Sequence, residues 1–213
     1  MIIQNQAGSL PAARQSAGTP NNPGGTYGEA LVSELAPNYY TLAKSGRVYS
    51  VSFAAITPAA FVGGAAGTPA IGIYNPATSG VDLVILFAKL GIRTTGTAAV
   101  ATDWNFWQVN QGGVAVTGTQ TQARNMYSQA STGSSAYCMV NTANTAALAS
   151  TLVAPSVSIG LTATTAVTNV QALTEETKGA IIVSPGTYLA WGNSVATTAG
   201  SFDGSLIWAE IPA

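Results

Sequence analysis

The chain has 213 residues, of which seven are Lys or Arg, eight are Asp or Glu and none is His, for a formal net charge of −1. With 7% charged and 47% hydrophobic residues, it falls far below the roughly one-quarter charge of a typical soluble domain, yet it is too apolar for intrinsic disorder. So weak a field excludes electrostatic recruitment of nucleic acid or anionic lipid, and a lone cysteine, Cys138, excludes an intrachain disulfide.

In length the chain fits one domain, or one domain with an appendage, and can bury a substantial core. Residues 1–38 differ from the rest. They contain the run Gly18-Thr19-Pro20-Asn21-Asn22-Pro23-Gly24-Gly25, which extends and punctuates the backbone and builds no core by itself. Two readings stay open for this stretch. One is a tail or linker; the other is an extended arm that orders on a neighbouring subunit, with Ile2, Ile3, Leu10 and Tyr27 as anchors. Within it, Gly28 to Leu35 fits one or two helical turns, or a strand leading into the body.

From Tyr39 the apolar period is two. In Val48 to Phe53, Tyr49, Val51 and Phe53 share one face and Ser50 and Ser52 the other, the pattern of a half-buried strand. Ala70 to Tyr74 follows, then the turn Asn75-Pro76-Ala77-Thr78-Ser79-Gly80. Val81 to Arg93 is apolar on both faces through Leu83 to Phe87, as expected of a strand covered from both sides. At about a dozen residues and with Asp82 and Lys89 inside, it is too short and too polar for a spanning helix, which needs about 20.

Further short segments run over Val114–Thr117, Ala136–Val140, Pro155–Leu161, Val167–Leu173, Ala180–Val183, Tyr188–Val195 and Phe202–Ile211. Gln120–Ser131 and Asn141–Val153 lack Pro and Gly inside an otherwise turn-rich chain, and are the two places where a short helix could intrude. Many short strands at a spacing near ten predict a sandwich or a barrel. The N-terminus has neither the basic start nor the apolar stretch of a secretory signal, so cytoplasmic synthesis without export is expected.

Chemistry-bearing patterns are sparse. Triads built on imidazole are impossible without histidine, and one cysteine makes no zinc cluster. Asp82, Asp103 and Asp203 are too isolated for a calcium loop. Lys44-Ser45, and Lys178 near Ser184, fit no known nucleophile motif. Glu175-Glu176 is the only acidic pair, and within Thr174–Gly179 it reads as a solvated turn rather than as the paired carboxylates of a glycosidase. Gly63-Gly64-Ala65-Ala66-Gly67 lacks the spacing and the following Lys-Ser/Thr of a phosphate loop. No catalytic residue, metal ligand or cofactor is therefore expected.

The aromatics carry more. In Asp103-Trp104-Asn105-Phe106-Trp107, Trp104 and Phe106 share a face if the segment is a strand, and Trp107 takes the other. Core filling is one reading; the others are an anchor at a subunit interface, where aromatics are enriched, or a sugar-stacking platform. Trp191 and Trp208, among alternating neighbours, are expected in the core.

Three blocks carry a resemblance. The first is Gly28-Glu29-Ala30-Leu31-Val32-Ser33-Glu34-Leu35-Ala36-Pro37-Asn38-Tyr39-Tyr40, followed by Gly46-Arg47-Val48-Tyr49. The second is Tyr74 to Leu86, with its Asn75-Pro76-Ala77 turn. The third is Val183-Ser184-Pro185-Gly186-Thr187-Tyr188 with the ending Leu206 to Pro212. From about residue 28 onward, the chain resembles structural proteins of tailed bacteriophages. The resemblance implies a mostly β virion component without enzymatic activity, and capsid decoration (cement) proteins among them are commonly trimeric β-sandwiches with extended arms.

The expectation is thus an all-β chain: a β-sandwich of jelly-roll type over 39–213 with an extended N-terminal arm over 1–38. It would sit on the capsid surface of a virion and contact the major capsid protein and sister subunits as a homotrimer. The contact residues expected are Ile2, Ile3, Leu10, Tyr27, Trp104 and Trp107, and no nucleic acid, membrane or cofactor is involved. The alternative is a head or tail fibre or spike that binds a host glycan or protein, or a neck or tail component.

Overall fold

The computed structural model describes residues 39–57, 59–61, 68–94, 100–111, 116, 118–131, 133–141, 151–161, 172–194 and 200–213. The expected arm, with Ile2, Ile3, Leu10 and Tyr27, lies outside the described residues, as do most of Asn141–Val153 and the glycine-rich loop at 63–67.

One short helix, α1 (Tyr40–Lys44), precedes ten strands. These are β1 (Val48–Ile56), β2 (Ile71–Tyr74), β3 (Val81–Thr94), β4 (Val100–Asn110), β5 (Arg124–Asn125), β6 (Tyr137–Val140), β7 (Thr151–Leu161), β8 (Ala172–Val183), β9 (Thr187–Asn193) and β10 (Ser201–Pro212). They form two five-stranded sheets. Sheet I has the order β5-β1-β10-β3-β8 and sheet II the order β6-β2-β9-β4-β7. Every pairing is antiparallel. The chain changes sheet at every connection except β6–β7.

The alternation read from β1 holds: Tyr49, Val51 and Phe53 are buried, whereas Ser52 is exposed. Their inner face meets β4 and β9. The Phe53 ring stacks parallel to Trp104 at 6.2 Å, Trp104 meets Trp191 at 4.8 Å, and Phe202 of β10 meets Trp104 edge-on at 5.6 Å. This aromatic layer, with Leu83, Ile85, Leu189, Leu206 and Trp208, forms the core between the sheets. Burying each such side chain contributes about 1.5–3 kcal/mol. Phe53 reaches its place only because Gly204 has no side chain, since a methyl there would overlap the ring.

Sheet II is covered on its outer face as well. Tyr74, Met139, Tyr188 and Ala190 pack with Phe61 of the β1–β2 connection and Val116 of the β4–β5 connection. That explains why all seven residues of β9 are buried. Tyr188 lies across Gly72, where any larger residue would collide with its hydroxyl. The strands buried from both sides are therefore β9 and the short β2. In β3, Leu83, Ile85 and Leu86 are buried but Val84 and Phe87 are only half-buried.

Three other expectations change. Gln120–Ser131 is not helical: Asn125 Oδ1 accepts the N–H groups of Tyr127 (2.9 Å) and Ser128 (3.1 Å), and this local turn competes with a helix. Glu175 and Glu176 do not form a turn between strands but lie within β8, opposite Ala88 and Phe87. The turn-like signal has a cause, because the register passes from Phe87↔Glu176 to Ile85↔Ile181. Residues 177–180 thus bulge out opposite Leu86, with Lys178 and Gly179 at positive φ of 51° and 81°. Finally, Tyr40–Lys44 is a helical turn where period two was expected; Ser45 Oγ donates to the Leu42 carbonyl at its end (2.9 Å).

Asn75 ties the two sheets at one corner. Fully buried, its Nδ2 donates to the carbonyls of Val81 and Val183, both at 2.7 Å. Its own N–H donates to Thr187 O (2.9 Å) and its carbonyl accepts from Gly186 N–H (2.8 Å). The β2–β3 and β8–β9 turns are thereby fixed to each other. Replacing Asn75 by Ala strands two buried carbonyls, each costing about 1–3 kcal/mol. Urea unfolding of Asn75→Ala is expected to show a loss of about 2–4 kcal/mol with an unchanged m-value, and a loss within experimental error would show that the corner is held by other contacts.

Candidate interaction surfaces

Trp104 and Trp107 separate on opposite faces of β4. Trp104 is fully buried between the sheets, so it fills the core and presents nothing to a partner or a sugar. Trp107 is half-buried on the outer face of sheet II, where Phe61 covers it edge-on at 6.4 Å. Neither gives the open aromatic platform that glycan stacking requires. Trp191 and Trp208 lie in the core as expected. Among the described residues, the large apolar side chains that do face outward are Tyr40 in α1, Met126 and Tyr127 beside β5, Tyr137 in β6 and Ile182 in β8. Sequence reasoning had no means to single these out, because each sits in a locally polar or strand-like context.

The groups with potential chemistry stay apart. Glu175 and Glu176 are neighbours on one strand and point to opposite faces. Asp203 Oδ1 is already engaged, accepting Ala55 N–H at 2.7 Å and lying 3.5 Å from Arg93. It holds β1 where the register shifts between Phe53 and Ile56 and Ala55 adopts φ 55°. Among the described residues no group of three His, Cys, Asp or Glu could hold a metal ion, and no helix is long and apolar enough to cross a membrane.

A shallow trough of about 340 Å³ crosses sheet I, lined by Ser52, Lys89, Gly91, Thr174, Asp203 and Ser205 together with Phe53, Leu90, Leu173 and Gly204. Its polar groups are hydroxyls, one ammonium and the engaged Asp203. Within it Lys89 lies opposite Ser205 of β10 on one side and Thr174 of β8 on the other.

Charge is sorted between the layers. The strands of sheet I hold Asp82, Lys89, Arg93, Arg124, Glu175, Glu176, Lys178, Asp203 and Glu210, whereas those of sheet II hold only Asp103. Of these, Glu210 is buried. Its carboxylate accepts from Ser134 Oγ (2.7 Å) and Ser135 N–H (3.0 Å), pinning the segment that leads into β6.

The sheet edges differ as well. On one side the chain closes its own edges. Thr121 N–H donates to Cys138 O of β6 at 2.7 Å, and β5 is two residues long, with Asn125 N–H donating back to Ala130 O at 2.8 Å. On the other side lie two long edges. The β8 edge carries Glu175, Glu176, Lys178 and the bulge, the devices by which proteins block strand addition. The β7 edge carries no charged residue; it contains Pro155, with a register shift against β4 on each side of it.

Compared with known proteins, no family model, no curated protein and no solved structure matches the chain.

Cys138 is buried in β6. Burial first, and the charge of Glu210 second, push its thiol well above the ordinary value of 9.0. The folded state therefore keeps a proton that the unfolded chain releases near that value, so this contribution is intact below about pH 8 and is lost as pH rises further. The unfolding midpoint should be flat through neutral pH and fall above about pH 9, while a thiol reagent labels Cys138 only as fast as the chain unfolds. Rapid labelling of the folded protein would contradict this placement.

Proposed function

We propose that this chain is a structural protein of a bacteriophage virion, a capsid decoration protein that ties major capsid subunits together against the pressure of packaged DNA. The observation that carries the reading is the strand order. With β5 and β6 set aside as an excursion that extends both sheets on one side, the remaining eight strands run β1-β10-β3-β8 and β2-β9-β4-β7. This order supports reading the fold as a jelly roll, a double-sheet architecture that recurs in viral capsid and lectin domains. The resemblance of three sequence blocks to phage structural proteins favours the capsid branch.

The surface chemistry supports the same reading. A shell contact made through neutral layers and main-chain hydrogen bonds needs few charged side chains, as in strand addition. Residues 1–38 are proposed as the extended arm that reaches the shell or a sister subunit, with Ile2, Ile3, Leu10 and Tyr27 as its anchors. The fibre or spike alternative would need Trp104 or Trp107 exposed, whereas Trp104 is buried and Trp107 is half-buried under Phe61.

Screening acts on charges, so binding to the shell is expected to depend little on salt. In a pelleting assay with purified capsids, the protein should stay bound through about 0.5 M NaCl and be released by detergent or mild denaturant. Release by salt with retention in detergent would contradict the proposal.

A further inference from the structure

The trough on sheet I contains a glycine that the fold does not require. Gly91 lies mid-strand in β3, between Asp203 of β10 and Ala172 of β8. Its φ is not positive, and a Cβ there would meet only Asp203, at 3.8 Å, an ordinary contact. This sets it apart from Gly72 and Gly204, whose missing side chains make room for Tyr188 and Phe53. Glycine weakens a strand interior, and such a position often marks the close approach of a ligand.

The polar groups beside it have nothing to bond to. At the next outward-facing level, Ser52, Ser205, Lys89 and Thr174 stand in one row across β1, β10, β3 and β8. With strands about 4.8 Å apart, the row spans about 14 Å. Ser52, Lys89 and Thr174 are exposed and Ser205 is half-buried. Among the described residues none of the three hydroxyls has a hydrogen-bond partner and Lys89 forms no ion pair. Elsewhere on the molecule Ser45, Ser134 and Thr177 are all bonded, as is the pair Thr94 and Ser201. Phe53, Leu90 and Leu173 also line the trough, so a few polar groups converge over an apolar floor, the composition of a ligand site.

We infer that this trough binds a neutral saccharide chain lying across the strands. Each hydroxyl of the row both donates and accepts, as sugar hydroxyls do, so the pairing needs no net charge. The floor left open at Gly91 takes the C–H face of a pyranose ring. Other ligand classes fit less well. A peptide finds no free backbone on this face, because β1, β10 and β3 are paired on both sides. The charges beside the trough, Lys89 and Arg93 against Asp203 and Glu176, cancel, which favours neither a polyanion nor a polycation. Binding along a hydrogen-bonding row needs no open aromatic ring, and it does not rest on the capsid reading.

The test is calorimetric titration of the full chain with neutral hexasaccharides of glucose, galactose, mannose and N-acetylglucosamine, and with polygalacturonate as the acidic arm. At least one neutral hexasaccharide should bind, with an affinity unchanged in about 0.5 M NaCl. Ser205→Ala and Thr174→Val should each weaken that binding about fivefold, the loss of one ordinary hydrogen bond. Gly91→Val should abolish it while melting no lower than the wild type. Binding to none of the neutral sugars, binding to polygalacturonate alone, or binding that these substitutions leave unchanged overturns the inference. So does a Gly91→Val chain that melts well below the wild type, because the glycine would then serve the fold.

Discussion

The corner at Asn75 decides how the rest of this molecule is arranged. One buried amide holds the carbonyls at the start of β3 and the end of β8, while its own backbone is bonded to the turn that begins β9. Strands that enter and leave different sheets are thereby kept in fixed relation at the point where the chain crosses between layers. The same device recurs elsewhere. Asn193 Oδ1 accepts Asp103 N–H at 3.0 Å where β4 meets β9, and Asn125 Nδ2 donates to Gly46 O at 2.6 Å where β5 meets the start of β1. In a chain with so few ionic groups, amide side chains satisfy the buried backbone that strand crossings leave unpaired.

From those fixed corners the packing follows. Phe53, Trp104, Trp191 and Phe202 occupy the space between the sheets, and the glycines at 72 and 204 open room for rings on either side of them. The two layers then take different roles. Sheet I holds nearly all the strand-borne charge and faces solvent with serines, threonines and a shallow trough. Sheet II is neutral, wrapped by Phe61 and Val116, and ends in the one long edge that carries no charge.

Much of this was legible in the residues. The alternation of Tyr49, Val51 and Phe53, the Asn75–Gly80 turn, and the core positions of Trp191 and Trp208 follow from period and composition alone. Other features depend on contacts distant in sequence. The run Thr174-Glu175-Glu176-Thr177-Lys178-Gly179 has turn composition because it contains a bulge, yet β3 pairs with it on both sides of that bulge and makes it a strand. Gln120–Ser131 lacks helix breakers, but the Asn125 side chain captures the local amides first. Whether Trp104 faces a core or a partner is set by which sheet lies over it, and five residues of β4 cannot specify that. Likewise, β7 reads as an ordinary apolar strand until the sheet order places it at an end.

The central claim is that this chain is a neutral β protein built to be assembled onto a capsid. The most direct measurement is its position and copy number in an image reconstruction of purified particles that contain it. The account predicts many copies on the outer surface of the head at symmetry-related positions. A few copies at the neck, tail or fibres, or none in the particle, would contradict it.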